Sequence, residues 1–283
     1  MSELQQKLVK MVEQMPAFSK SVHQVLHLTA DLNYSHKELV RIIDYDPVMT
    51  LKILKLVNSA YFGFARKVAS INQAVVFLGM NTIKNLALSV ATRGILPQLD
   101  RGGLHTGHFL THSVGVATVA KMLARRLGAT DREATDYFVA GLLHDFGKVV
   151  FSQFMPLEFQ EAQRLAKERH CSLRIVERDL IGADHADIGS LLGEKWQLPP
   201  DLVLAIRHHH GDKDGQHDSP MLDCVNAANQ ITKLRGFGDS GSPIVEPLTP
   251  SAQARFGTDL EGLVASLGDL DREMKKAQVI IKL

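Results

Sequence analysis

The chain has 283 residues, a formal net charge of +1 at pH 7, 45% hydrophobic and 22% charged residues, which is ample apolar material for one large domain or two packed subdomains. Its Lys and Arg residues are scattered, so charge gives no argument for nucleic acid as a partner and no basic groove is expected. No stretch is apolar enough for long enough to span a bilayer and no signal-peptide pattern opens the chain, so cytoplasmic residence without a membrane partner is the expectation. Cys171 and Cys224 lack metal-site spacing and are expected to be free thiols there.

Taken in chain order, Ser35 with Glu38 three residues on predicts an N-cap and a capping box ahead of a helix whose apolar face carries Leu39, Ile42 and Ile43. Pro47 suits the first turn of the next helix, in which Met49, Ile53, Leu54 and Val57 recur at helical intervals, and Asn58 to Gly63 ends it. Ser70 to Leu78 and Asn81 to Val90 read as two further short helices separated by Gly79. Thr111 to Leu127 and Ala134 to Leu143 are richly apolar at the same spacing, with His112 expected on the first turn of the former. Asp184 to Trp196 begins with His185 and turns Ile188, Leu191, Leu192 and Trp196 inward. Pro199-Pro200-Asp201 opens another helix, which Gly211 is placed to end, so His208-His209-His210 occupies a helix C-terminus. Period-two alternation is absent over any useful length, and the fold class expected is all-α, a multi-helix bundle.

The chemistry gathers around Leu143-His144-Asp145-Phe146-Gly147-Lys148. An adjacent imidazole and carboxylate can bind one ion from a single short stretch of backbone, and that donor pair suits Fe, Mn, Zn or Ni over Mg or Ca. Further ligands are needed. His112, His185, His208 and His209 are the candidates, each at or near a helix end that could converge on one pocket. Consecutive helical residues point about 100° apart, so only one or two of the three terminal histidines can face any pocket. The other histidines, among them His23, His36, His105, His108, His170 and His217, have no motif around them.

The ordered set of His112, LLHDFGK, DHADIG with His185, and RHHHG resembles the HD superfamily of metal-dependent phosphohydrolases. Before it, Met15-Pro16, Asp46-Pro47, Asn58-Ser59-Ala60, Ser70-Ile71 and Leu78-Gly79 stand in the order of the HDOD family, the HD-related output domain of bacterial signalling proteins. The resemblance spans roughly residues 15–235. It implies a helical regulatory module, many members of which lack hydrolase residues. By the same resemblance His144 and Asp145 would anchor a first ion with His112, while His185, His208 and His209 would hold a second ion or a substrate phosphate. Lys148 would contact that phosphate, so Asp145 and Lys148 are the catalytic candidates. The superfamily's closing Asp is replaced: Asn229 is the likeliest aligned position and Asn226 the other, each offering a carbonyl oxygen without charge. Asp223, six residues from Asn229, falls on another face of the same helix. No Gly-Tyr-Pro signature follows His144-Asp145, which weighs against the cyclic-dinucleotide phosphodiesterase branch.

Two functions are therefore compatible with the sequence. One is a bacterial signalling module with a partly retained site for one or two divalent transition-metal ions, acting through signalling-protein partners and open to a phosphate-containing ligand. The other is a metal-dependent phosphohydrolase acting on a nucleotide or other phosphate ester. The organisation expected is an N-terminal helical part over 1–100, an HD-like bundle over 101–235, and a Gly- and Pro-punctuated linker leading to a C-terminal helix over 236–283. That last helix carries a stripe of Leu260, Leu263, Val264, Leu267, Leu270, Met274 and Ala277, which is expected to fold back onto the bundle.

Overall fold

The computed structural model describes residues 3–17, 19–30, 35–59, 62–96, 100–211, 217–242 and 244–281. Among them are seventeen α-helices and no strand, the sole β-type pairing being an isolated bridge between Arg101 and Leu104. Ala60 and most of the polar loop after the histidine triplet lie outside the described residues.

The first six helices are α1 (Glu3–Gln14), α2 (Lys20–Ala30), α3 (His36–Asp44), α4 (Pro47–Val57), α5 (Ile71–Leu78) and α6 (Met80–Ile95). Helices α2, α4 and α5 pack around α6. Local chemistry sets their ends: the Asp46 carboxylate accepts the Met49 amide at 3.0 Å and the Ser70 hydroxyl accepts that of Gln73 at 3.2 Å. The capping box expected at Ser35 does not form. Ser35 has the extended backbone of an N-cap, but the Glu38 amide donates to the Ser35 carbonyl at 3.1 Å instead of its hydroxyl. Helix α6 also runs five residues beyond Val90, to Ile95.

Helix α7 (Thr106–Arg126) is the axis of the rest, with α8 (Asp131–Leu143), α14 (Pro220–Leu234) and α17 (Leu270–Ile281) packed against it. Its middle, residues 112–120, is buried on every side, whereas His108, Arg125 and Arg126 near its ends are exposed. At Gly141 of α8 an added Cβ would sit 2.7 Å from the Ala117 Cα, so the absence of a side chain there is what lets the two helices touch. Because α7 starts at Thr106, His112 lies on its second turn and not its first. After α8 come α9 (Phe146–Phe154), α10 (Pro156–Glu168), α11 (Leu173–Ile181), α12 (His185–Lys195) and α13 (Pro200–His208). Helices α15 (Pro250–Phe256) and α16 (Leu260–Ala265) follow α14.

The N-terminal helices join the rest at two polar seams. Asp136 of α8 receives Lys84 at 3.2 Å and the amides of Asn81 and Asn85 at 3.1 Å each, tying α6 to α8. At the other seam Lys195 donates to the carbonyls of Val12, Glu13 and Met15 at 2.8 to 2.9 Å, satisfying the otherwise open C-terminal end of α1. Trp196, 1% exposed, adds its indole N–H to Pro16 O at 3.2 Å.

The stretch that sequence punctuation marks as a linker is pinned along its length. Asp239 N donates to His108 O at 3.2 Å, Glu246 N to the Gln230 side chain at 2.8 Å, and Thr249 N to Asn226 Oδ1 at 3.3 Å. Ser240 is 2% exposed. The glycines there serve close approach: a Cβ on Gly238, at φ +73°, would lie 2.4 Å from both His108 O and His112 N. This segment is a cover over α7 and α14, where Gly and Pro alone suggested a tether.

Candidate metal centre

Asp145 is the hub. It sits in the break between α8 and α9, fully buried, with both oxygens facing imidazoles. Around Oδ2 stand His144 Nε2 at 3.3 Å and His112 Nε2 at 3.7 Å; around Oδ1 stand His185 Nε2 at 3.3 Å and His209 Nε2 at 3.5 Å. His210 Nε2 is 2.9 Å from His185 Nε2. Two donor sets share the carboxylate, one of His112, His144 and Asp145 and the other of Asp145, His185, His209 and His210, with ligand atoms within 4.8 Å of one another in each.

The helix ends aim these rings. His144 Nδ1 lies 2.7 Å from Gly141 O and His209 Nδ1 lies 2.7 Å from Ile206 O. A carbonyl can only accept, so each ring keeps its proton on Nδ1 and turns the Nε2 lone pair toward Asp145. Glu177 of α11 does the same for His185, taking its Nδ1–H at 2.5 Å and its backbone N–H at 3.0 Å. Asp184 caps α12 through the amides of Ala186 and Asp187, holding His185 at the first helical position. At Gly147 an added Cβ would fall 1.8 Å from His185 O, so only glycine lets α12 enter this close to the His-Asp pair.

Of the residues singled out from sequence, the structure brings His112, His144, Asp145, His185 and His209 together. His208 is not among them. It is half-buried with its ring 5.1 Å from that of His217, because one step along the helix rotates the side chain away, and His210 takes the place expected of it. Lys148 does not reach out toward a phosphate; it is 1% exposed, donating to Asp145 Oδ2 at 2.7 Å and to Ser240 Oγ at 3.0 Å. The two candidate asparagines separate. Asn226 is committed, its amide donating to His209 O at 2.9 Å and its oxygen accepting from Thr249. Asn229 is 1% exposed and its Oδ1 has no hydrogen-bond partner. It precedes Lys233 by one turn of α14, and the Lys233 ammonium feels the charges of both Lys148 and Asp145. Asp223 is engaged elsewhere, by Ser251 at 3.0 Å and Arg255 at 2.5 Å.

Glu177 has no sequence motif, yet a signal existed: it lies on the buried stripe Leu173, Val176, Glu177, Ile181 of α11, where a carboxylate is out of place unless it is paired. Lys233, on α14, and Ser240, in the segment after it, carry no such signal and meet the site only through the fold.

The electrostatics ask for a cation. His112 Nε2, His144 Nε2, His209 Nε2 and Asp145 Oδ1 are all buried and all lack a hydrogen-bond partner, and with the protons of His144 and His209 held on Nδ1 their Nε2 atoms converge on the carboxylate as acceptors. Burial depresses the imidazoles of His112 and His210 well below their usual range and that of His209 to about 3, keeping them neutral and able to ligate. For Asp145 burial works toward protonation, but the neighbouring His144 and the Lys148 ammonium outweigh it and hold the carboxyl well below the usual range. Lys233 is pushed down to about 8, first by burial and then by Lys148. Imidazole nitrogens around one carboxylate fit a divalent transition metal, and the partnerless atoms are where its bonds would go.

A family model described as the HDOD domain matches residues 15–211. An HDOD domain protein of unknown function from Geobacter sulfurreducens superposes with a TM-score of 0.79 at 25% identity, covering 97% of each chain. A protein from Shewanella amazonensis, provisionally named a phosphohydrolase, gives a TM-score of 0.75 at 25% identity, covering 96% of this chain and 97% of that one. An uncharacterized protein of Treponema pallidum is 25% identical over 82% of this chain and 45% of its own length. The chain spans less than half the length of the curated relatives it matches.

Proposed function

Because the chain belongs to the HDOD domain family, we propose that it is a bacterial signal-transduction module that works through protein partners and uses its buried metal centre for structure or sensing, not turnover. The observation that carries this reading is burial. His144, Asp145, His185 and His209 are 0% exposed and His112 is 1% exposed, so the donor set can enclose an ion but offers a phosphate ester no face to approach. Lys148, the side chain best suited to hold a phosphate, is committed to Asp145 and Ser240 beneath the 236–242 cover. His144 and His209 hold their lone pairs inward through backbone carbonyls, Glu177 fixes His185, and Asn229 leaves the closing ligand uncharged. A divalent transition ion bound there supplies positive charge among these acceptors and, to any phosphate ester admitted, Lewis-acid polarisation. Exposed Tyr45, Val48 and Leu51, at 75%, 63% and 70%, support a protein partner for the N-terminal helices.

The phosphohydrolase reading, on a nucleotide or other phosphate ester, draws on the donor set itself and on the likeness to the Shewanella protein. Assay of Mn- or Fe-loaded protein on p-nitrophenyl phosphate and bis-p-nitrophenyl phosphate separates the two. The signalling reading expects bound metal and no turnover above that of Asp145→Asn. Turnover that disappears in that variant would replace it with the hydrolase reading.

A further inference from the structure

A cavity of about 870 Å³ opens on α7 away from the metal centre, within the size range of small-ligand sites. Thr118, Lys121, Met122 and Arg125 line it at i, i+3, i+4 and i+7, one face of the helix lying roughly a third of a turn from that of His112. Its lining has three chemistries. The hydroxyl-bearing side chains of Thr82, Thr118 and Thr135, 8%, 4% and 7% exposed, form the floor. Phe62 and Phe77 make an aromatic wall, Phe77 being braced by Phe64 at a ring separation of 5.6 Å. Lys121, Arg125, Arg126 and Arg272 bring four cations to the rim against two carboxylates. One of those two, Asp269, is occupied in part by capping α17, accepting the Arg272 amide at 3.0 Å. Ser266, bonded to Arg126, with Asp269, Arg272 and Glu273, closes the far side from residues beyond the 15–211 stretch that the family model matches.

We propose that this cavity binds a nucleoside di- or triphosphate, with the base against Phe62 and Phe77 and the phosphates on the Lys and Arg rim. A surplus of cations calls for a polyanion, and Arg is suited to phosphate oxygens through paired N–H donors. The aromatic wall adds a preference for a ligand with a flat ring. The site shares α7 with the metal centre but none of its ligands, so it is independent of whether that centre turns over substrate.

The test is a fluorescence titration of the full chain with N-methylanthraniloyl-GTP, competed by unlabelled ATP and, separately, by inorganic tripolyphosphate. Saturable binding is expected, with ATP the stronger competitor. The pair Lys121→Glu and Arg125→Glu should weaken binding at least about tenfold, and Arg272→Glu, outside the central helix, should weaken it too. Phe77→Ala, at a 60% exposed position that packing does not need, should weaken ATP but not tripolyphosphate. Asp145→Asn should bind like the parent, because it alters only the metal centre. Thermal melts read by circular dichroism identify variants that still fold. The proposal is overturned by absence of saturable binding to the parent, by undiminished binding in folded charge-reversed variants, by equal competition from tripolyphosphate, or by loss of binding in Asp145→Asn.

Discussion

Glu177 Oε2 lies 2.5 Å from His185 Nδ1, and both side chains are wholly buried. Burial opposes protonation of His185, but the charge of Glu177 outweighs it and raises the imidazole to about 9. The same bond fixes which nitrogen of His185 is presented to Asp145 and His210, so Glu177 acts on the centre through the ring it orients. Glu177→Gln should therefore weaken metal binding about 10- to 100-fold while the helical spectrum is unchanged. Chelator competition measures it; parent-like affinity would show that His185 is not a ligand.

Asn229 tests the position of the missing carboxylate. Its Oδ1 is buried and without a partner, one turn before Lys233. On the reading that Asn229 faces the ion, Asn229→Asp adds a unit of negative charge there and should tighten metal binding at least about tenfold. Asn226→Asp should instead loosen α14, since it removes the amide that holds His209 O at 2.9 Å. Unchanged affinity in Asn229→Asp would place that side chain away from the ion.

Gly147 and Gly107 give opposite expectations for the same substitution. A Cβ at Gly147 meets backbone atoms of His185 at 1.8 and 2.7 Å, whereas one at Gly107 meets nothing within 4 Å. Gly147→Ala should cost more than about 3 kcal/mol or prevent folding, because two helices must separate. Gly107→Ala, in the first turn of α7, should stabilise by up to about 1 kcal/mol. Equal melting temperatures would mean that α9 and α12 do not approach as described.

Metal-free protein should be most stable near neutral pH. His112, His209 and His210 have folded values below their unfolded value of about 6.5. Their contribution is present above that pH and is lost as pH falls, for His209 toward about 3. His185 has the opposite sign: its contribution is fully present below about 6.5 and is lost as pH rises through about 9. Urea midpoints followed from acid to about pH 8 should pass through a maximum; above that Lys233, whose folded value of about 8 lies below its unfolded value, gains stability and offsets the His185 loss. A monotonic dependence would contradict these assignments.

The helices were legible because burial repeats at helical spacing: α4, α5, α12 and α13 lie close to where Pro47, Ser70, Asp184 and Pro200 place their starts. Asp145 and four of its histidines were legible because their types and order carry the chemistry. What was not legible depends on rotation and on distant chain. His210 replaces His208 by one residue of helical phase near a helix end, a difference that spacing cannot resolve. Lys148 was read as a phosphate contact because nothing local shows Ser240, 92 residues later, meeting its ammonium. The 236–250 segment looked like a tether because glycine signals chain freedom and close packing alike, and only the contact of Gly238 with His108 and His112 decides which.

The metal content of protein prepared without a histidine tag, compared between the parent and Asp145→Asn, tests the metal centre most directly. Asn is the more informative replacement because it keeps the shape and an oxygen that can accept from the buried Lys148 ammonium, whereas Asp145→Ala removes that acceptor together with the charge. With Fe, Mn, Zn and Ni measured by mass spectrometry after exposure to each ion, the parent should carry one or two equivalents and the variant far less, both remaining folded. A parent free of metal under excess ion, or a variant that keeps its full complement, would contradict a metal centre at Asp145.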